Sequence, residues 1–113
     1  MRHYFLARKA RKDLAKLLSW SAKKFGEDAR LRYLELIDVS ALELCDNPER
    51  LGAKLIVPGR QLYAYHLRHS KDRAITSTGT VASPRHVLIY KHDLYQVHIL
   101  RVLHDSMDIL RHL

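Results

Sequence analysis

AKKFGEDAR, residues 22–30, lies between two long stretches of helical periodicity. Upstream, from about Arg8 to Phe25, the residues Ala10, Leu14, Leu17, Leu18, Ser21 and Phe25 fall on one side of a helix. Gly26 then permits the left-handed residue that ends such a helix. Glu27 and Asp28 suit the first turn of a second helix, where carboxylates meet the positive end of the dipole. That helix runs to about Asp46, and Asn47-Pro48 stops it. Two helices with almost no loop between them predict an antiparallel hairpin.

Around this hairpin the periodicity changes. HYFLA (3–7) reads as a short strand ahead of the first helix. PERLGAKLIVPGR (48–60) reads as loop, punctuated by Gly52 and Pro58-Gly59. LYAYHLR (62–68), HVLIYK (86–91) and YQVHILRVLH (95–104) are rich in aromatic and β-branched residues and read as strands, the last two joined as a hairpin. The expected order is β-α-α-β-β-β: an α+β fold with a small antiparallel sheet, the helical hairpin on one face, and a short helical tail. A chain of 113 residues is expected to form one domain spanning 1–113.

Charge is unevenly distributed. Residues 1–24 carry a net +7, residues 25–49 a net −5 and residues 50–113 a net +6. A basic surface attracts nucleic acid or an acidic protein partner, and charge alone does not choose between them. No apolar run approaches the roughly 20 residues needed to cross a bilayer, and MRHYFLARKA lacks the apolar core of a signal peptide. Cys45 is the only cysteine and falls in an apolar helical stripe, so it reads as buried filler in a reducing cytosol.

Both helices depart from a plain amphipathic pattern. On the first, Trp20 lies roughly 100° from the apolar centre, among Lys9, Lys16 and Lys23. It either laps over the edge of the core or serves as an aromatic anchor for a partner. The second helix has two apolar stripes. Ala29, Tyr33, Leu36, Ile37 and Leu44 form one; Leu31, Leu34, Ala41, Leu42 and Cys45 form the other. A surface helix needs only one stripe, so the other is either deep core or an exposed apolar face. An acidic, partly disordered segment folding on binding would match Lys16, Trp20 and Lys23 together with Leu31, Leu34 and Leu42.

Eight histidines raise the question of a metal. His66 and His69 are three apart on an expected strand and so point to opposite faces, and no Cys/His cluster supports zinc. His98 and His104, six apart, share a strand face. A metal-independent ribonuclease needs a base, an acid and cations for the scissile phosphate. Arg85, Arg101 and His104 supply part of that set, or else are surface charge and a strand stop. Beyond His104 the chain runs DSMDILRHL, with Arg111 as the only Lys or Arg and with two aspartates. Such a corner repels a phosphate, so it reads as a strand stop in which Asp105 or Ser106 caps the tail. Met107, Leu110 and Leu113 are spaced to pack lightly on a neighbouring surface, with little contribution to the core.

Ala10-Arg-Lys-Asp13-Leu14 resembles the Ala-x-x-Asp-Leu start of the first helix in the RelE/ParE superfamily of type II toxin–antitoxin toxins. Pro58-Gly59-Arg60, Arg85-His86-Val-Leu-Ile-Tyr90 and Ile99-Leu-Arg-Val-Leu-His104-Asp105 are similar to its ParE branch. The segment 68–85 is longer than the tight turn usual there. The resemblance implies a bacterial growth-inhibiting toxin that poisons DNA gyrase and is neutralised by a cognate antitoxin, with operator DNA reached only through that antitoxin. It implies no catalytic residue, metal or cofactor. Arg85, Arg101, His104, Met107 and Leu110 are then the target-facing residues. The alternative, in the RelE manner, is a ribosome-dependent mRNA interferase.

Overall fold

The computed structural model describes residues 1–113. The first helix, α1, spans Arg8–Phe25 and the second, α2, spans Glu27–Asp46, the bounds that the periodicity predicts. Gly26 is the whole connection. Its φ of 94° is one that side-chain-bearing residues rarely adopt. Its N–H closes α1 on the Ala22 carbonyl, and its own carbonyl accepts from Arg30 N–H to open α2. One residue thus serves both helix ends.

The helices lie on one face of a five-stranded sheet. Its strands are β1 (His3–Leu6), β2 (Lys54–Val57), β3 (Leu62–His66), β4 (His86–His92) and β5 (Gln96–His104), in the spatial order β1-β5-β4-β3-β2. Two features differ from the expected sheet. LIV in the presumed loop 48–60 forms most of β2, an edge strand antiparallel to β3. And β1 joins β5 in parallel, His3 opposite Gln96, so the sheet is mixed. The other neighbouring strands pair antiparallel.

The main core fills the space between helices and sheet. Leu36, Ile37, Ala41, Leu44 and Cys45 of α2 meet Tyr65, Leu88, Tyr90, Val97 and Ile99 of the sheet. The second α2 stripe therefore divides: Ala41 and Cys45 are core, whereas Leu31, Leu34 and Leu42 are exposed. Phe25, expected on the buried side of α1, is also exposed and packs edge-on against Trp20 at 5.5 Å. The long 68–85 segment straps over α2. Ala74 and Val81 reach the core, and Ser70 and Arg73 donate to the Glu43 carboxylate. Burial raises the Glu43 pKa, but the hydrogen bonds from Arg73 and Ser70 and the charges of Arg50 and Arg73 hold it below its ordinary value.

A smaller cluster of Val87, Ile89 and Leu103 occupies the opposite face, covered by Ile109 and Leu113 of the tail. The tail, a 3₁₀ turn over Ile109–His112, is therefore structural in part, contrary to the light packing expected of it. Asp105 and Ser106 do not cap it. Asp105 instead binds Arg85 and His66, and Ser106 binds His104. His69 lies not on a strand but in a 3₁₀ turn after His66. No helix is long and apolar enough to cross a membrane.

Candidate functional site

One face of α1 carries Asp13, Lys16, Leu17 and Trp20 at helical spacing. It leans over the end of the β4–β5 hairpin and encloses a cavity of about 360 Å³. Leu17, Trp20, Val102, Leu103 and Met107 supply its apolar lining; Arg85, His86, Arg101 and His104 supply the polar one. Trp20 is 56% exposed, which removes it from the core and makes it the rim of this cavity.

Asp13 organises the site. Its carboxylate receives Arg101 through Nε at 2.8 Å and a terminal guanidinium nitrogen at 3.0 Å, and also the Val102 N–H at 3.0 Å. β1 leaves β5 after Ile99, so Val102 would otherwise present an unpaired edge N–H. The Ala-x-x-Asp-Leu spacing is thus a structural device: one acid in a basic helix finishes a strand edge and neutralises the arginine beside it. Arg101 also donates to the His112 carbonyl at 2.9 Å, which ties down the tail.

The ladder explains one correction. Ile89 faces Arg101 while Tyr90 faces Ile99, so Leu100 is an extra, bulged residue. The bulge reverses the side-chain alternation beyond it. Val97, Ile99 and Val102 all face the helices, and Leu103 faces away. His98 and His104, expected on one face, consequently point to opposite faces.

At the corner, Asp105 accepts from Arg85 and lies 2.9 Å from His66 Nε2. These hydrogen bonds, Arg85 first, hold its carboxyl well below the usual range. On the helix side, Tyr33 Oη lies 2.6 Å from His86 Nδ1 and accepts from the Arg85 N–H. The Arg85 donation leaves the phenol proton free for His86. The His86 and His104 rings meet edge-on at 5.1 Å. Burial, then the neighbouring His104, lowers the His86 pKa to about 4. Burial likewise pushes Tyr33 up to about 12. His104 Nδ1 accepts from the Ser106 N–H, so its neutral form carries the proton on Nε2.

A pH dependence follows from His86. Its folded pKa of about 4 lies below the ordinary value of 6.5, so the unfolded chain binds the proton first. Stability is complete above about pH 6.5 and falls as pH drops toward 4, by roughly 2 kcal/mol after discounting for partial exposure. The depressed Asp105 carboxyl works in the same direction at lower pH. Urea unfolding between pH 4 and 7 checks this: His86→Gln should flatten the wild-type slope, and an unchanged slope would clear His86 of the effect.

The residues singled out from sequence are regrouped by the fold. Lys16 and Trp20, assigned to an antitoxin, share the cavity with Arg85, Arg101, His104 and Met107, assigned to a target. Lys23 lies beside them on α1, with Trp20 and Lys16 around a neighbouring depression. Leu110 is outside the cavity and exposed. Leu31 and Leu34 line a separate depression with Glu35 and Asp38, and Leu42 another with Glu43, Asp46, Arg50 and Arg73. The acidic rim at Leu31 and Leu34 is a poor match for the acidic segment expected to bind there, whereas the rim at Leu42 balances two acids with two arginines. Sequence reasoning passed over Tyr33, His86 and Asp13 as site residues. Two signals pointed to Asp13: its place in the Ala-x-x-Asp-Leu motif and its being the lone acid among the first 24 residues.

A family model described as ParE toxin of type II toxin-antitoxin system, parDE, matches residues 4–109. Among solved structures, the chromosomal ParDE TA system from P. aeruginosa superposes with a TM-score of 0.65. That match covers 92% of this chain and 95% of the other at 14% identity, a likeness of fold alone. No curated protein matches the sequence. The chain belongs to the ParE toxin family of type II toxin–antitoxin systems.

Proposed function

We propose that this protein arrests growth in the cytosol by binding DNA gyrase through the α1–β5 cavity, and that a cognate antitoxin neutralises it by covering the same cavity. The carrying observation is the pairing of the cavity's arginines. Arg85 is held by Asp105 and Arg101 by Asp13, which leaves Lys16 as the only lining Lys or Arg without a carboxylate partner. A nuclease needs open cations around the scissile phosphate and a poised acid and base. Here His86 is held neutral by burial and the neighbouring His104, and the lining is largely apolar. An apolar floor with an aromatic rim suits a protein surface better than a phosphate.

The antitoxin's acidic segment then runs along Lys16, Trp20 and Lys23. Leu31 and Leu34, with their acidic rim, take a neutral or basic apolar stretch of it, and Leu42, beside both acids and arginines, a neutral one. The antitoxin supplies the sequence-reading module for the operator.

The test uses purified protein with gyrase, ATP and plasmid, beside a ribosome reaction with messenger RNA. Accumulated cleaved plasmid, and an SOS response in induced cells, is the expected result. Cleaved message with intact plasmid would overturn the reading in favour of an mRNA interferase. The double variant Met107→Ala, Leu110→Ala removes the tail's two exposed apolar side chains, 44% and 64% exposed. It should leave the melting temperature unchanged and raise the dose needed for gyrase poisoning about tenfold or more. Unaltered potency would take the tail out of the target surface.

A further inference from the structure

None of the protein's 12 acidic residues lies in a strand. The sheet face turned away from the helices is therefore free of strand carboxylates, while Lys54 and Lys91 project from it. At the edge of this face lies a second cavity of about 320 Å³, which shares only Arg101 with the α1–β5 cavity. Leu62 and Leu100 contribute apolar lining, and Arg8, Lys9, Arg60 and His112 supply positive or titratable groups from three separate parts of the chain. No Asp or Glu lines it. Arg8, Lys9 and Arg60 are exposed and take part in no ion pair. Asp13, the one acid in the neighbouring stretch of α1, is committed to Arg101. The first turn of α1, which opens on the same cavity, adds a positive helix end with no acidic residue.

We propose that this cavity seats a backbone phosphate of duplex DNA, held by Arg8, Lys9 and Arg60, with the uncovered part of the sheet face, whose strands carry no carboxylate, flanking the neighbouring phosphates. Unpaired cations that converge from separate elements suit a compact anion with several acceptor oxygens. The continuation of positive charge through Lys54 and Lys91 suits a polymer that repeats that anion. Such contacts position a protein on a duplex and carry no sequence information. They therefore complement an antitoxin that reads the operator, and they depart from the expectation that DNA is reached only through that antitoxin. The proposal does not depend on the gyrase reading, because the toxin is tested with DNA alone.

The experiment is a fluorescence-anisotropy titration of the full chain on a labelled random-sequence duplex of about 20 base pairs, across a potassium chloride series. The triple variant Arg8→Gln, Lys9→Gln, Arg60→Gln should weaken binding at least about thirtyfold and, because one phosphate contact is lost, lower the salt slope by about one. A control of equal charge loss, Lys24→Gln, Arg68→Gln, Lys71→Gln, should weaken it by no more than about threefold. Melting temperatures of both variants establish that each is folded. Equal losses in the two variants would reduce the effect to net charge and overturn the site. So would absence of wild-type binding at low salt, or displacement of DNA by poly-glutamate at lower charge equivalents than by unlabelled duplex, which would assign the cavity to an acidic peptide.

Discussion

Asp13→Ala is expected to lower stability by about 3 kcal/mol, which for a chain of this size is a fall of roughly 12 °C in melting temperature. The substitution strands two groups at once. Arg101, with 19% of its side chain exposed, loses the carboxylate that compensates its charge. The Val102 N–H loses its acceptor at a place where β1 has already ended. Breaking a partly buried pair from one side costs more than the pair contributes, because the remaining charge stays desolvated. Asp13→Asn retains an oxygen for Val102 and should cost only about half as much. Thermal and urea unfolding read both values, and hydrogen exchange at Val102 should quicken in Asp13→Ala. A loss under about 1 kcal/mol would mean that Arg101 finds water without penalty and that the motif does not fasten the strand edge.

Trp20→Ala should cost about 2 kcal/mol or more of antitoxin affinity, roughly thirtyfold, while barely moving the melting temperature. The indole is half exposed, touches Phe25 at its edge and overhangs the cavity, so little folding energy depends on it. Reversing Lys16 and Lys23 to Glu acts differently: association should slow most at low salt, with a smaller change in complex lifetime. Calorimetry and stopped-flow binding separate the two effects. Because Trp20 and Lys16 line the cavity assigned to the target, Trp20→Ala should also reduce gyrase poisoning. Intact antitoxin binding with a lowered melting temperature would return Trp20 to the core; lost antitoxin binding with full potency would separate the two surfaces.

The elements legible in the sequence were those held by nearby bonds. A helix closes hydrogen bonds within four residues, so its limits are written where it stops: Gly26 between Phe25 and Glu27, and Asn47-Pro48 after Asp46. The β3, β4 and β5 strands also announced themselves, by dense aromatic and β-branched residues within recognisable turns. The acid-poor sheet and the acidic second helix are likewise matters of composition. β2 escaped because KLIV is four residues long, sits between Gly and Pro, and lies at an edge where one neighbour suffices.

Only the tertiary structure decided the rest. β1 pairs with a strand about ninety residues later, and no local pattern states whether such a pair runs parallel. The bulge at Leu100 depends on the register against β4, yet it alone determines that His104 joins His86 while His98 faces away. The Asp13 carboxylate meets Arg101 across 88 positions, and this packing turns two separately predicted surfaces into one cavity. Side chains distant in sequence become neighbours only through the packing of whole elements, whereas a helix end is decided by the few residues that make its last turn.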